Sequence, residues 1–517
     1  MSIARSSIIV TTFTVFGLGL GFLSNMVIAM KFGARTDMDI FLAATTVPLF
    51  ITSILSSALN FTFIPVFAEY RASGPVEVWK VVSSLINLSF AVTMVFCIVG
   101  MALAEHIARI LVPGFTQDQV AHTANLLRWL LPLIVFTAMN ELMASVYYSD
   151  NRFVVPSLNK IISPIITMLY VFLFHESLST NSLALAMLTA AFLQAAFLAA
   201  GFLRRRDFHY SFSFDHTHPG VRKILKLMIP LVSGMIFYRA VPVLDRFFLS
   251  GLPSGSISHV GYAMKLISVI PAVIVSGIVI SIFPVMAKYV AEHNIDELKS
   301  IMSKGLRMLF FMSVPVARFL GVFGKPVVKF IFERGVFAAS DTSAVYYAFS
   351  IYVMALPAMV IGSIIAQGYY VLKDTRTVAF IGVAEMVFYI FICYALLQFL
   401  GYLAIPTAYA VQFNLGALLS GLILRYKLGN KGGITVLSSM AKHIAAALVP
   451  LSVVLVLFGF TMTDPITIMI IIPLCFIAYL FISRFAFVTD EALSVCEKMM
   501  RMQKKIRAIL VPTAGKK

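Results

Sequence analysis

The stretch Val15-Phe-Gly-Leu-Gly-Leu-Gly-Phe-Leu-Ser-Asn25 places three glycines at alternate positions inside an apolar run from about Ile8 to Met30. A dinucleotide-binding loop with this glycine spacing needs a preceding strand and a following acidic residue in a βαβ unit, and neither is present. A cleaved signal peptide is disfavoured because the run is long and lacks a small-x-small exit. The stretch therefore predicts a membrane helix whose glycines either let neighbouring helices approach or form a hinge.

The composition of the whole chain favours the same conclusion. Of its 517 residues, 60% are hydrophobic and only 12% are charged, and the mean hydropathy is +0.94. These values leave too little polar surface to cover a water-soluble globule. Apolar runs of about twenty residues, each able to cross roughly 30 Å of hydrocarbon, recur along the chain. We therefore predict an all-α polytopic membrane protein.

The apolar runs predict about fourteen transmembrane helices, with boundaries good to a few residues. The predicted spans lie near residues 7–30, 40–67, 81–104, 124–148, 155–174, 180–203, 223–249, 259–287, 302–324, 343–371, 377–398, 402–424, 437–460 and 465–486.

The net charge of +17 is better explained by the membrane topology of the chain than by binding to a nucleic acid. Lys and Arg concentrate in alternate loops, such as Arg204-Arg205-Arg206, whereas the opposite loops near residues 250–258 and 461–464 carry none. By the positive-inside rule, both termini are expected in the cytoplasm. The basic loops also attract anionic lipid headgroups, and we expect no nucleic acid to bind.

An internal repeat is visible in short sequence matches. The segment Ile64-Pro-Val-Phe-Ala-Glu-Tyr70 matches Phe283-Pro-Val-Met-Ala-Lys-Tyr289, and Tyr147-Tyr148 before Asp150 matches Tyr369-Tyr370 before Asp374. The offset of about 220 residues spans an even number of helices, so the two halves have parallel orientation, a transporter design. We predict six-helix bundles at 1–205 and 223–425, a cytoplasmic linker at 206–222, two additional transmembrane helices at 437–486 and a basic cytoplasmic amphipathic tail at 487–517.

The same residues carry a family resemblance. The run Phe32-Gly-Ala34 with Asp37 and Asp39, and the later run Phe63-Ile-Pro-Val-Phe-Ala-Glu-Tyr70, resemble the opening of MurJ/MviN-type lipid II flippases, within the superfamily of multidrug and oligosaccharidyl-lipid exporters. In the second half, Val243-Leu-Asp-Arg-Phe-Phe-Leu-Ser250, Gly255-Ser-Ile-Ser258 and Phe330-Ile-Phe-Glu-Arg-Gly-Val-Phe337 look like that family. The resemblance extends from about residue 10 to 430.

The resemblance implies an alternating-access flippase in the bacterial cytoplasmic membrane, with an undecaprenyl-pyrophosphate-linked saccharide, first of all lipid II, as its substrate. A flippase for another polyprenyl-linked glycan is the alternative, and a multidrug or cation antiporter is a third. The implied partners are the lipid-linked glycan, the bilayer and the cell-wall or polysaccharide synthesis machinery. We expect no enzyme activity and no cofactor, because no nucleotide-binding or metalloprotease motif is present.

The chain departs from the family at the charged positions that the resemblance assigns to the substrate. Leu18, Ser24 and Asn25 stand where the family's first span carries an arginine and an Arg-Asp pair, and Thr52 and Ser53 replace basic residues of its second span. The remaining family cation matches Lys265, and Arg239 is a substitute. The expected substrate-binding residues are Lys265, Arg239, Ser24 and Asn25.

Three intramembrane polar residues are predicted to couple transport to Na⁺ or H⁺: Asp245, Glu385 and Thr407. An acid matching Asp245 binds sodium in the family, with partners on the eleventh and twelfth spans. Of the eleventh-span ligand positions, Tyr389 and Cys393 match here, and neither suits a hard cation. Glu385 lies one turn before Tyr389 and is predicted to pair functionally with Asp245. The alternative is that Asp245 pairs with Arg246 or Arg239, and we expect no metal other than sodium.

Overall fold

The computed structural model describes residues 3–71, 75–150, 152–205, 208–429, 438, 441–450, 452 and 465–485. Every regular element in these ranges is an α-helix or a 3₁₀ helix, which confirms the predicted all-α fold. The predicted tail at 487–517 and most of the predicted span at 437–460 lie outside the described residues.

The helices follow one another with short connections. The first half of the chain contains α1 (Ile3–Phe32), α2 (Thr36–Arg71), α3 (Pro75–Ala102), α4 (Ala104–Leu111), α5 (Gln117–Leu130), α6 (Pro132–Ser149), α7 (Val154–Asn159), α8 (Ile162–Leu178) and α9 (Asn181–Leu203). The second half contains α10 (Pro219–Arg239), α11 (Val241–Leu249), α12 (Ser256–Ala291), α13 (Ile295–Phe332), α14 (Ala339–Val353), α15 (Leu356–Val371), α16 (Thr375–Leu400), the 3₁₀ helix Gly401–Leu403, α17 (Ala404–Leu428) and α18 (Pro465–Phe485).

Within the described residues, 10 helical segments are long and apolar enough to cross a membrane. One of them, Thr375–Leu428, combines two predicted spans through the 3₁₀ helix. Shorter apolar stretches in α1 and α18, Phe16–Phe32 and Pro473–Ser483, match the first and last predicted spans. The protein is therefore a multi-pass membrane protein, and the count of fourteen stays a prediction.

Several spans are broken where the sequence places a proline. α5 ends two residues before Pro132, α10 is followed by α11 with Pro242 in its first turn, and α14 is followed by α15 with Pro357 in its first turn. Proline has no backbone N–H and disfavours the α conformation in the residue before it, so the helical hydrogen-bond ladder is interrupted there. The break at Ala240 leaves Arg239 as the last residue of α10.

The contacts group the chain into two compact units. The first comprises Met1–Gly261, Ile331–Asp341 and Tyr394–Tyr402, and the second comprises Tyr262–Phe330, Thr342–Cys393 and Leu403–Lys517. The boundary between the units does not lie at the linker, because α10 and α11 pack on α2 in the first unit. The two six-helix bundles were inferred from the sequence repeat, and they stay a prediction.

In the first unit, α2 is a central helix that packs against α5, α6 and α10. Its aromatic residues Phe63 and Phe67 join Trp79 of α3, Tyr147 of α6 and Phe202 of α9 in one buried core. All five side chains are at most 3% exposed, so this aromatic core holds one end of the unit together.

The linker after α9 is bound to α3. Asn87 of α3 donates to the backbone carbonyls of Ser211 (3.3 Å) and Ser213 (2.8 Å), and it accepts from the Tyr210 hydroxyl at 2.5 Å. The Ser211 N–H donates to the hydroxyl of Ser83 at 3.2 Å. We call residues 208–214 the linker strap; sequence analysis predicted only a cytoplasmic linker at this position.

The same interactions recur in the two sequence halves. The Tyr147 hydroxyl donates to the Leu198 carbonyl at 3.3 Å, and the Tyr369 hydroxyl donates to the Ser420 carbonyl at 2.7 Å. Both members of the second pair lie 222 residues after those of the first (147 to 369, 198 to 420). In the second unit, this bond joins α15 to α17.

A matching ion pair lies next to each tyrosine. Asp150 pairs with Arg205 just after α9, with 2.5 Å between Arg205 Nη1 and Asp150 Oδ2. Asp374 pairs with Lys427 at the end of α17. Each half of the repeat therefore joins the loop after its fourth span to the end of its sixth span.

The C-terminal helices belong to the second unit. Residues 441–450 are helical and include Ala446 and Ala447. These two alanines and Tyr479 of α18 pack on Phe310 and Phe311 of α13. The Tyr479 hydroxyl donates to the Phe311 carbonyl at 3.0 Å. The apolar surface of α13 is thus covered by helices that lie outside the internal repeat.

Candidate substrate and ion sites

The glycine run of α1 does not form a close helix contact. A Cβ atom added to Gly17, Gly19 or Gly21 would meet no described atom within 4 Å. The prediction that these glycines let a neighbouring helix approach is therefore wrong for the described residues, because the run faces open space. The alternative, a hinge in α1, stays a prediction.

The two predicted substrate residues of α1 lie one turn beyond the glycines. Ser24 is 6% exposed, and Asn25 is half-buried. The Asn25 side chain donates to the Gly21 carbonyl at 2.9 Å, within its own helix. Asn25 is thus the member of this pair with a polar side chain at the unit surface.

A half-buried polar stripe runs along α2, through Ser53, Ser56, Ser57 and Asn60. These residues are three or four positions apart, so they share one face of the helix. The Ser53 hydroxyl donates to the Phe50 carbonyl, whereas Thr52 is 6% exposed and turns away from the stripe. We call these four residues the α2 stripe; hydroxyl and amide groups occupy it where the resemblance implies basic residues.

Arg239 lies against this stripe. Its side chain is exposed, and Nη2 donates to the Ser57 hydroxyl at 3.2 Å. The residue ends α10 at the break of the seventh span, so its position is set by Pro242 and by the packing of α10 on α2. The N–H groups of a guanidinium can donate to phosphate oxygens.

Asp245 belongs to the same unit as Arg239. It lies in α11, six residues further along the chain, and is 5% exposed. An ionisable residue buried within a membrane span is a candidate functional residue. Glu385, its predicted functional partner, belongs to the second unit.

Lys265 lies in α12, nine residues after the helix begins at Ser256, which corresponds to about 13 Å of helix. Its Nζ is 5.7 Å from the centroid of the Tyr262 ring, one turn earlier. A cation over an aromatic face is stabilised without being neutralised. The Lys265 residue is half-buried.

Glu385 of α16 rests on α17 in the second unit. Its Oε1 lies where a Cβ atom of residue 416 would be, so Gly416 makes room for the carboxylate. In the part of the chain that the structure describes, no hydrogen-bond donor or charged group reaches this carboxylate. One turn from Gly416, Gln412 is 8% exposed and its Oε1 also has no hydrogen-bond partner there.

Thr407, the third predicted coupling residue, lies elsewhere on α17. Its hydroxyl donates to the Leu403 carbonyl at 2.7 Å. Gly416, where Glu385 rests, is nine residues away, about 13 Å along the helix axis. The residues present therefore do not fit a sodium ion held jointly by Glu385 and Thr407.

One polar cluster was not predicted as a site. The carboxylate of Asp39, 4% exposed in the first turn of α2, accepts from the Gly255 N–H (2.6 Å), the Ser258 N–H (2.7 Å) and the Ser258 hydroxyl (2.5 Å). It thus caps the N-terminus of α12, and we call this arrangement the Asp39 cap. Gly255 has φ +89°, and a Cβ there would lie 2.6 Å from the Ala34 carbonyl oxygen, so glycine is required.

Two more contacts surround the Asp39 cap. His259 Nε2 lies 3.0 Å from Asp341 Oδ1. The Val336 N–H donates to the Met30 carbonyl at 3.0 Å. These contacts bring residues 331–341 into the first unit. Two sequence features could have indicated the Asp39 cap. Gly255 is followed by Ser256 and Ser258 at the start of α12, and Asp39 lies at the start of α2.

A family model for the lipid II flippase MurJ matches residues 28–476. The chain belongs to the lipid II flippase MurJ family. The matched range includes Arg239, Asp245, Lys265, Glu385 and Thr407.

Two relatives of this family are named probable lipid II flippase MurJ. The protein of Buchnera aphidicola subsp. Schizaphis graminum is 24% identical over 438 residues, which cover 84% of each chain. The protein of Vibrio cholerae is 26% identical over 436 residues, 81% of this chain and 83% of that one.

Solved structures show the same fold. A lipid II flippase MurJ in an inward closed conformation superposes with a TM-score of 0.80 and 21% identity, and the match covers 93% of this chain and 99% of that one. An inward-facing multidrug resistance MATE family transporter superposes with a TM-score of 0.68 and 15% identity, covering 79% and 94%. The fold is therefore that of MurJ and, more distantly, of its superfamily.

Proposed function

We propose that this MurJ family member moves lipid II from the inner to the outer leaflet of the bacterial cytoplasmic membrane by alternating access. The membership of residues 28–476 in the flippase family carries this proposal. Transport of this kind forms and breaks no covalent bond in the substrate. The chain's task is to lower the free-energy cost of taking a charged headgroup through the bilayer.

The pyrophosphate of the substrate is an anion that cationic side chains can bind. Arg239 donates to a serine hydroxyl, and Lys265 lies over a tyrosine ring. Hydroxyl and amide groups of the α2 stripe and Asn25 supply further hydrogen bonds. We assign the pyrophosphate to Arg239 and Lys265, with Ser24 and Asn25 near the headgroup; the lipid tail stays in the bilayer.

The Asp39 cap closes one end of the first unit. The positive-inside pattern assigns this end to the outer side, because the capped loop near residues 250–258 carries no Lys or Arg. Release of substrate outward then requires Asp39 to part from the N-terminus of α12. Three charge-assisted hydrogen bonds favour the closed form until substrate or ion binding offsets them.

We assign ion coupling to Glu385 and Asp245, with a proton as the coupling ion. The Glu385 carboxylate lies against α17 in the space left by Gly416, and a carboxyl group at this position can carry a proton. Thr407 then affects ion coupling indirectly, through the hydrogen bond of its hydroxyl to the Leu403 carbonyl at the start of α17. Glu385→Gln is expected to abolish the pH dependence of transport in proteoliposomes; an unchanged pH profile would make Glu385 structural.

Complementation of a lipid II flippase depletion strain tests the proposed substrate. Wild-type protein should restore growth, and Lys265→Ala should fail while it still inserts into the membrane. Lys304→Ala, at a loop-side position of α13, is the matched control and should restore growth. Lack of rescue by well-expressed wild-type protein would refute lipid II as the substrate.

A second substrate is favoured by one observation. Hydroxyl and amide groups, not cations, occupy the α2 stripe and residues 24–25 of α1. Fewer cations suit a headgroup that binds through its sugars, as in another polyprenyl-linked glycan. Rescue of a strain that lacks an exopolysaccharide or O-antigen flippase would favour this alternative.

A further inference from the structure

Glu141 is a carboxylate that neither substrate binding nor the predicted ion pair uses. It lies in the middle of α6, ten residues after Leu131, at a level where the helix packs between α2 and α9. The residue is half-buried. A charged group at this depth is costly unless it serves a function.

The partners of this carboxylate are neutral. Asn60 Nδ2 donates to Glu141 Oε2 at 3.3 Å, and its second N–H donates to the Ser56 backbone carbonyl at 2.9 Å. The Ser145 hydroxyl lies 2.9 Å from the Asn60 amide oxygen and 2.8 Å from the Glu141 backbone carbonyl oxygen, and it can donate to either. Asn60 is thereby held with its amide group toward Glu141.

Neutral partners let the group change protonation state without breaking the site. An amide N–H donates to a carboxylate oxygen and also to the carbonyl oxygen of a carboxylic acid, so Asn60 can serve both forms. Asp150 in the same unit is different, because Arg205 at 2.5 Å would be left buried without its counter-charge if Asp150 were protonated. The surroundings of Glu141 therefore suit the uptake and release of a proton, whereas those of Asp150 suit a permanent ion pair.

The titratable and charged groups that act on Glu141 are few. Lys160, which follows α7, acts on it through its charge, and Tyr148, two turns further along α6, interacts with it electrostatically. From α2, the facing groups are Asn60 and Ser56, which do not titrate. In the described residues, none of these groups forms an ion pair with Glu141 within 4.0 Å.

Glu141 and Arg239 meet the same turn of α2. Asn60 is the partner of Glu141, and Ser57, three residues earlier on the same helix, is a partner of Arg239. The carboxylate approaches from α6 and the guanidinium from α10, both of which pack on α2. An anion bound at Arg239 would therefore raise the local negative potential at Glu141 and favour its protonated form.

We propose that Glu141 is a proton-exchange site of the first unit, and that it takes up a proton when an anionic headgroup binds at Arg239. By reciprocity, release of that proton weakens headgroup binding. The link to the headgroup rests on the proposed function, whereas the proton site does not.

Infrared difference spectroscopy during a pH titration of the full chain in nanodiscs tests the proton site without substrate. The wild type should show the carbonyl band of a protonated carboxyl group, and Glu141→Gln should lose it. Glu385→Gln, the matched control in the second unit, should keep that band. Glu141→Asp, which retains a carboxyl group, should shift the band and covers the case in which the glutamine variant does not fold. A band that is unchanged in both Glu141 variants would overturn the proposal.

Addition of lipid II in weak buffer with a pH-indicator dye tests the link. Proton uptake should accompany binding to the wild type and be lost in Glu141→Gln. If the infrared band depends on Glu141 but lipid II causes no uptake, the link to the headgroup is refuted and the proton site stands. If uptake occurs equally in Glu141→Gln, the coupling is assigned to another group and the proposal falls.

Discussion

The carboxylate of Asp39 binds both the backbone N–H and the hydroxyl of Ser258, a residue 219 positions further along the chain. With the Gly255 N–H, three donors surround one buried acidic group. Hydrogen bonds to a charged group each contribute about 1.5–3 kcal/mol, so the cap has a decisive effect on whether the start of α12 stays on α2.

Asp39→Asn should therefore weaken this contact and lower transport at least tenfold, because an amide cannot accept from all three donors equally well. Spin-label distances between α2 and the start of α12 should broaden. Asp37→Asn, two residues earlier and exposed, is the control and should leave both measurements unchanged. Equal distances in both variants would show that the cap does not hold the closed form.

Gly416→Ala should impair coupling as Glu385→Gln does, because the new methyl group occupies the position of the Glu385 carboxylate. Forcing an extra methyl group into packed space costs about 1–3 kcal/mol. Gly382→Ala, in α16 one turn before Glu385, adds a methyl group where no atom lies within 4 Å. Transport at two pH values should change in the first variant only; the same change in both would indicate a general effect on the helices.

Arg239→Ala should lower lipid II transport roughly tenfold to a hundredfold, as expected for the loss of a charge-assisted contact of about 1.5–3 kcal/mol. Arg239→Lys should recover part of the activity because it keeps the charge but not the planar fork. Arg318→Ala, an exposed arginine of α13, should transport normally. Proteoliposome assays with labelled lipid II give the comparison, and similar losses in both alanine variants would remove Arg239 from the site.

Tyr147→Phe and Tyr369→Phe should destabilise the protein by similar amounts, about 1 kcal/mol each, because each removes one equivalent hydrogen bond. The double variant should show additive losses, since the tyrosines lie in separate units. Thermal unfolding in detergent provides the measurement. A large effect of one substitution and none of the other would contradict the structural equivalence of the two sites.

The ion pair of Asp374 predicts how stability depends on pH. Hydrogen bonds from Lys427 and Thr377 lower the pKa of the Asp374 carboxyl to about 2, from an ordinary value of 3.8. Because the pKa is lowered in the folded state, the stabilisation is complete above the ordinary pKa and is lost as the pH falls toward 2. The Tm difference between the wild type and Asp374→Asn should thus be constant from neutral pH down to about pH 5, and it should shrink below that. A difference that already shrinks above pH 5 would contradict this assignment.

Much of the fold could be predicted because membrane helices are limited by length and hydrophobicity. The span predicted near residues 180–203 is α9, Asn181–Leu203, and the one near 402–424 is α17, Ala404–Leu428. The repeat match around Tyr147 and Tyr369 also located two hydrogen bonds that are equivalent in the structure. Local sequence carries this information directly.

Contacts that depend on how helices are aligned could not be predicted. Glu385 faces Gly416 only because α16 and α17 pack in one particular register, and nothing in the sequence near either residue reports that register. The glycines at positions 17, 19 and 21 suggested close packing, yet the tertiary structure gives them no neighbour among the described residues. Likewise, Glu141 became informative only when Asn60 and Ser56 were placed beside it.

The attachment of the linker strap to Asn87 leaves almost no slack before the seventh span. The Asp215 carboxylate accepts from the N–H groups of Thr217 and His218, and α10 begins at Pro219. The segment that joins the two sequence halves is thus not a loose loop, because hydrogen bonds attach it along α3 of the first unit. The start of α10 is therefore tethered to α3 within the first unit, only a few residues after the strap ends.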